Sequence, residues 1–429
     1  MKYCLIDGSK FYASASTIMR PDLRDKPVLV ASGVDGIAIA ASRACKEKNI
    51  SNFAPIFQVK DKVAMHSGGI FRANFNTLGH LSARMMRSIL DNYGEDLPHF
   101  QYSVDELFLS CEELHTLGVD LNQHIYNVRR RVYQETRIGT GAGVGRTLTL
   151  AKVGSFAAKK LPGYDGQCVL ENIKHEDEVL KLMPTSEIWN IGRKLTEHLK
   201  FKGITTAYQL KNQSAKKLQK EFSINVANVV HELNGVAVLN FSDKQPPKKQ
   251  VFSTSSNRDR FRCSDALFSK LADHAFEMCK KVRAQNSEIK ALSVFISTSR
   301  YDRCKPYSNG FEIQFDSPTC DTSVILNTIR SHFDSLLPHS LHQQPIYKVA
   351  VGATRLVDSE MRQFDLFQQT HDNVKLMSTV DTMNLRFGKG SLKYASQSTS
   401  NRVHNQNIQL LELPNYLTDI NQLVEIKCC

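Results

Sequence analysis

YSVDELFLS, residues 102–110, is a run of strand-forming residues with two acids, Asp105 and Glu106, at its centre. Adjacent carboxylates repel each other, and burying them is costly unless a positive charge lies between them. Read alone, the pair can simply cap an exposed hairpin. What decides between a cap and a site is which other strand reaches it.

Working outward, HFQYS (99–103) and ELFLSC (106–111) read as two strands of a hairpin, and KYCLID (2–7) as a buried strand. Leu78, Leu81, Met85, Ile89 and Tyr93 recur at helical spacing over 76–93, with Gly94 as the stop. Leu121, Ile125, Val128 and Val132 do the same over 121–136. GTGAGVG (139–145) reads as a glycine-rich strand, followed by a helix from Thr147 to Lys160. VLVAS (28–32) and IAIAA (37–41) are short strands within a segment, 20–75, that reads as an insertion. Without that insertion the order is β-α-β-β-α-β, the split βαβ or ferredoxin-like arrangement. Its first strand lies antiparallel beside its third, so Asp7 meets Asp105 and Glu106. Strict alternation would send Asp105 and Glu106 to opposite faces; their place near the hairpin bend is what could let both reach one site, a geometry the sequence does not itself show.

Three acids at strand ends form an oxygen-rich set suited to Mg²⁺. Two such ions about 3.5–4 Å apart can activate an attacking oxygen and stabilise a leaving one in phosphoryl or nucleotidyl transfer. The totals, 55 Lys and Arg against 43 Asp and Glu for a net charge of +12, read equally as a polyanionic partner, most often nucleic acid, or as a basic surface that binds nothing. The apolar run before Asp7 is too short for a signal peptide, and no stretch approaches the ~18 apolar residues of a membrane span. Ten cysteines without a CxxC pair fit a reduced cytosol. No GxxxxGK[ST] occurs, and GTGAGVGR does not fit GxGxxG, which argues against a P-loop or Rossmann site. His332, His339 and His342 read as loop residues rather than a metal site.

Residues 184–212 suggest two short helices around Ile191-Gly192-Arg193, resembling a helix-hairpin-helix that grips a phosphate; the plainer reading is an α-hairpin. SDKQPPKKQ (242–250) reads as a linker. Beyond it, strands and helices through YKVAVGAT (347–354) form a second α+β unit, and after about 356 the chain turns polar.

IDGSKFYAS (6–14), YSVDELF (102–108), GAGVGRTLTLAK (141–152), IWNIGRKL (188–195) and LMSTVDTMNLRFGKGSLKYASQ (376–397) follow one another as in the Y-family translesion DNA polymerases. The last block resembles the UmuC branch, the catalytic subunit of bacterial DNA polymerase V. The resemblance implies an α+β, multidomain right-hand polymerase. Its parts would be a ferredoxin-like palm (1–20 and 76–165), small fingers (21–75), a helical thumb (166–241), a linker (242–250), a little finger (251–355) and a C-terminal tail (356–429). It implies two Mg²⁺ ions, with Mn²⁺ as a substitute, held by Asp7, Asp105, Glu106 and the Gly8 carbonyl. Lys10, Phe11, Tyr12, Arg43, Lys46 and Lys152 would bind the nucleotide. Tyr12 matches the ring that excludes a ribose 2′-OH, and Lys152 matches a triphosphate lysine. Read without the resemblance, these are a core aromatic pair and a solvated helix lysine.

Arg43 and Lys46 replace the family's Tyr-x-x-Arg clamp, and lysine lacks the bidentate fork. Leu148 stands where UmuC-like chains carry a lysine. VFSTSSNRD departs from SRSFG at Thr254, Ser256 and Asn257, leaving Arg258, Arg260 and Arg262 to supply charge. Ile191, Gly192, Arg193, Arg258 and Arg260 are the expected DNA contacts. Gln363, Phe364, Asp365, Leu366 and Phe367 resemble a sliding-clamp pentapeptide. The implied partners are primer-template DNA, dNTP, the clamp, a UmuD′-like dimer and a RecA filament, all in the cytoplasm during the SOS response. A non-catalytic DNA- and clamp-binding protein of the same fold is the competing expectation; a palm-fold nucleotide cyclase is disfavoured by the helix-hairpin-helix and the clamp-like tail.

Overall fold

The computed structural model describes residues 3–32, 36–240, 247–361, 372–388, 390–397 and 410–414. The chain divides into two compact units, Met1–Lys244 with Gln406–Cys429, and Gln245–Asn405. In the first, β1 (Tyr3–Gly8) leads through α1 (Phe11–Ser16) into an inserted layer of β2 (Val28–Ala31), β3 (Ala38–Ala41), α2 (Arg43–Glu47), α3 (Ile56–Met65) and β4 (Gly69–Arg72). The chain returns through α4 (Phe75–Tyr93), β5 (His99–Gln101), β6 (Glu106–Ser110), α5 (Glu112–Thr116), α6 (Leu121–Thr136), β7 (Thr140–Gly145), α7 (Leu148–Lys160) and β8 (Gln167–Val169).

The main sheet has the order β5-β6-β1-β7-β8. β1 is antiparallel to both β6 and β7, so the first strand does lie beside the third of the ferredoxin-like set. A fifth strand, β8, adds in parallel to β7. The sequence reading ended this layer at residue 165, because three residues are too few to show alternation.

Alternation divides the sheet cleanly. Cys4, Ile6, Leu107 and Leu109 face the core built with Leu81, Met85, Ile125 and Val128 of α4 and α6. Tyr3, Leu5 and Phe108 face Leu148 and Ala151 of α7. Full burial of each such aliphatic side chain is worth about 1.5–3 kcal/mol. The glycine run explains how α7 comes so near. A Cβ on Gly143 would lie 2.0 Å from the Ser155 amide nitrogen, and one on Gly145 would lie 2.5 Å from the Leu150 carbonyl carbon. Helix starts are capped as their residue types dictate, with Asn74, Asp120 and Thr147 accepting main-chain N–H groups at α4, α6 and α7.

Five helices follow: α8 (Ile173–Leu182), α9 (Arg193–Phe201), α10 (Ala207–Lys211), α11 (Ala215–Glu221) and α12 (Ile224–Leu233). Of the two helices expected around Ile191-Gly192-Arg193, only the second exists, as α9. Extended Pro184 leaves room for just one 3-10 turn, Thr185–Glu187, before Gly192. Two buried acids fasten these helices to the sheet layer. Arg146 forks onto Glu176 at 2.8 and 2.7 Å. Glu232 accepts the amides of Thr149, Val238 and Leu239 at 3.1, 2.8 and 3.0 Å.

The second unit contains β9 (Val251–Phe261), α13 (Ser264–Arg283), β10 (Ser287–Ser297), β11 (Ser308–Thr319), α14 (Thr322–Leu336) and β12 (Ile346–Asp358). The element order repeats β-α-β-β-α-β, but the antiparallel sheet runs β11-β10-β12-β9, a different pairing. The expected polar tail is partly folded. α15 (Val374–Arg386) is held by a fork from Arg283 to Asp381 at 2.7 and 2.9 Å and by buried Met377. Its few buried residues left no helical stripe to read. A last strand, β13 (Leu411–Glu412), rejoins the first unit at the edge of a sheet ordered β13-β4-β2-β3. No described helix is long and apolar enough to cross a membrane.

Candidate active site

The site grows from one register: Asp7 on β1 stands opposite Glu106 on β6. The Gly8 amide donates to the Asp105 carbonyl at 2.8 Å, closing the strand end. Alternation carries Asp7 with Tyr3 and Leu5, and Glu106 with Phe108, onto the face under α7. Along α7, Lys152, Ser155 and Lys159 sit at i, i+3 and i+7, one stripe of the helix. Lys159 pairs with Asp7 Oδ2, which Ser155 Oγ also reaches at 3.4 Å. Lys152 Nζ donates to Glu106 Oε1 at 2.7 Å.

Asp105 is turned differently. Its Oδ1 accepts from Ser103 Oγ at 2.6 Å, and its charge adds to burial in raising the Tyr12 phenol. Burial likewise raises the Asp7 carboxyl. Lys159 opposes that rise, while Glu106 and Asp105 reinforce it. The backbone therefore brings the three acids to one strand end, where Lys159 holds Asp7, Lys152 holds Glu106 and the Ser103 hydroxyl holds Asp105. Among the described residues no three His, Cys, Asp or Glu side chains stand together as a metal-ligating group. The residues nonetheless fit a hard divalent cation: Asp7 Oδ1 is a buried carboxylate oxygen without a hydrogen-bond partner, on the strand end shared with Glu106.

Lys152 is held on its other side by aromatic rings. Its ammonium lies 4.6 Å from the Tyr102 ring centroid, 5.0 Å from Trp189 and 5.8 Å from Phe108. Trp189 Nε1 donates to the Tyr102 hydroxyl at 3.2 Å, locking the cage. The Lys152 side chain is only 15% exposed, against 38% for Lys159.

Lys10 bridges β1 and α1 in the left-handed region, at φ 51°, and is exposed. It turns the chain so that Phe11 is buried while Tyr12 is half-buried, with rings 5.8 Å apart. Arg43 and Lys46 are exposed on α2; Arg43 pairs with Glu47 at 3.1 Å. No described hydrogen bond or ion pair links either to the acids. Ile191 is buried, and Gly192 and Arg193 open α9 without a side-chain cap. Arg260 forks onto Asp302 at 3.0 and 2.8 Å and covers the Tyr347 ring, so it is engaged rather than free. The Arg258 side chain and Gln363–Phe367 lie outside the described residues.

Sequence reasoning missed Lys159, Ser155, Tyr102 and Trp189 in this site. The i, i+3, i+7 spacing from Lys152 was the available signal for two of them. The cage had no local signal, since Trp189 arrives from a distant loop.

Known proteins bear on this geometry. Residues 6–155 match the impB/mucB/samB family, residues 248–366 that family's C-terminal domain, and residues 374–426 a domain of unknown function. Protein ImpB of Salmonella typhimurium is 30% identical over 93% of each chain. Protein UmuC of the same organism is 28% identical over 99% of this chain and all of its own length. DNA polymerase IV 2 of Bacillus subtilis is 23% identical over 92% of this chain and 94% of its own. A Dbh–Dpo4 Y-family DNA polymerase chimera superposes with a TM-score of 0.65 at 15% identity, covering 83% of this chain and 100% of its own. The chain belongs to the impB/mucB/samB family, and its fold is that of a Y-family DNA polymerase.

Proposed function

We propose that this DNA-directed DNA polymerase carries out error-prone translesion synthesis in the bacterial SOS response, joining dNTP to a primer 3′-hydroxyl at Asp7, Asp105 and Glu106. The observation that carries the reading is the Asp7–Glu106 register beneath the basic stripe of α7. Two divalent cations held by these acids and the Gly8 carbonyl would neutralise charge on the attacking oxygen and on the departing pyrophosphate. The chain's own residues do the rest. Lys159, the more exposed lysine, exchanges Asp7 for the triphosphate and stabilises charge on the leaving group. Lys152 stays in its cage and orients Glu106. Tyr12 presents its ring to the sugar and excludes a 2′-hydroxyl. Exposed Arg43 and Lys46 add phosphate charge, and the uncapped amides of α9 at Gly192 and Arg193 grip a backbone phosphate of the duplex.

The domain boundaries follow the same reading: palm with β8 included, fingers as the inserted sheet, thumb from α8 to α12, little finger as the β9–β12 unit. Docking on a sliding clamp through 363–367, action with a UmuD′-like dimer and a RecA filament, and cytoplasmic location belong to the proposal by family resemblance.

The test is extension of a labelled primer past an abasic site with Mg²⁺ and dNTPs. Wild-type protein extends the primer, and Asp105→Ala loses about a thousandfold or more. A wild type that binds the primer-template but never extends it points instead to the non-catalytic binding protein.

A further inference from the structure

Leu410–Pro414 returns to the inserted sheet from the far end of the chain and lies inside the stretch matched by a domain of unknown function. Leu411 and Glu412 pair in parallel with Phe71 and Arg72 of β4. Leu410 joins Ile56, Val59, Val63 and Ile70 on one face of the sheet, while Leu413 joins Leu23, Phe71 and Leu78 on the other. Half-buried Leu411 packs on the Leu413 side and Glu412 is exposed, so the faces alternate along the segment with Leu410 and Leu413 as its buried anchors. The groove is shaped for this segment: a Cβ on Gly69 would lie 2.9 Å from both Leu411 Cδ1 and Leu23 Cδ1. Glu412 adds an exposed pair with Arg72 at 3.4 Å.

Beyond the strand, two carbonyls of the segment meet the first turn of α4. Leu413 O accepts from Asn74 Nδ2 and Pro414 O from Thr77 Oγ1, each at 2.9 Å. Asn74 is also the N-cap of that helix, accepting from the Thr77 amide. Between these anchors stands Phe75, whose ring meets Tyr12 edge-on, with centroids 6.3 Å apart and planes at 88°. Phe75 is 57% exposed, so little else fixes it.

We propose that Leu410–Pro414 is an intramolecular strand ligand of the β4 edge, and that by fixing the first turn of α4 it holds Phe75 against Tyr12 and sharpens the exclusion of ribonucleotides. The proposal rests on the reading of Tyr12 as the sugar-excluding ring. It gives the C-terminal segment a specificity role and covers the Phe71–Arg72 stretch of the β4 edge.

The test uses the full-length chain and two readouts: hydrogen exchange of the Ile70 and Arg72 amides of β4, the Gly69 and Ala73 amides donating instead to Pro27 and Ala31 on the β2 side, and the dNTP-to-rNTP ratio of kcat/KM. L411D/L413D is expected to lose about tenfold or more of the β4 protection. Its ribonucleotide exclusion is expected to fall about fivefold. N74D keeps the cap but cannot donate to Leu413 O; it retains β4 protection and loses about threefold in exclusion. L411I/L413I retains both. Unchanged protection in L411D/L413D, or lost protection with wild-type exclusion, overturns the proposal. Should L411D/L413D fail to fold, wild-type exclusion in N74D overturns it. Wild-type exclusion in Tyr12→Ala removes the gate reading itself, and the proposal with it.

Discussion

Lys152 and Lys159 lie two turns apart on one helix face and hold different acids, and their surroundings give them different work. Three rings and Glu106 confine Lys152; each cation–π contact of this kind is worth about 0.5–2 kcal/mol. Trp189→Ala should therefore lower kcat about tenfold with little change in dNTP KM, while Trp189→Phe keeps most of the rate; steady-state primer extension over a dNTP series reads both. Lys159→Met should do the opposite, raising dNTP KM about 10–100-fold, the size of a lost charge-assisted contact. The sequence pointed to Lys152 because LTLAK is a motif, and it missed Lys159 because a lysine near a helix end is ordinarily a solvated one. It also could not show that Asp105 turns to Ser103 while Glu106 turns to Lys152, since rotamers near a bend obey local hydrogen bonds rather than strand alternation.

Elements were more legible than side chains wherever their hydrophobic period was long. α4 and α6 carry apolar residues at every turn, and their spans agree with the sequence reading within a residue. Three-residue β8, α15 with two buried residues, and β13 far from its partner strand carried no such period. The glycine run of β7 was legible as a strand but not as a contact surface, which is its main role. Gly143→Ala drives a methyl into the α7 backbone, so it should destabilise the chain by about 3 kcal/mol and abolish extension; denaturant unfolding measures the first. In the second unit, His274 is buried between Ser253 and Ser255, hydrogen-bonded at 2.9 and 2.8 Å. Burial, reinforced by Lys270 and Lys281 against Glu277, pushes its imidazole down to about 4 from 6.5. The unfolded chain then binds a proton that the folded chain refuses. Stability should be unaffected above the unfolded value and fall by about 3 kcal/mol as pH drops from 6.5 towards 4. Thermal melts of His274→Gln should lack that slope.

At the scale of the whole molecule, a net charge of +12 and an exposed helix start at Gly192 and Arg193 suit a duplex backbone. Primer-template affinity should accordingly fall steeply with added salt, and Arg193→Ala should lessen that slope by about one contact. Buried Glu176 and Glu232 tie the α8–α12 helices to the layer that carries the acids. Arg146→Met leaves Glu176 buried without its partner and should cost about 3–5 kcal/mol in unfolding free energy. The proposed reaction rests on one strand end, where Lys159 holds Asp7 and Lys152 holds Glu106, with Asp105 next to Glu106. The most direct test is a Mn²⁺ titration followed by electron paramagnetic resonance, with primer-template and a non-hydrolysable dNTP analogue bound. The account predicts about two ions per wild-type chain and loss of at least one in Asp105→Asn/Glu106→Gln. An unchanged stoichiometry in that double variant, or no bound ion in the wild type with DNA in place, would contradict it.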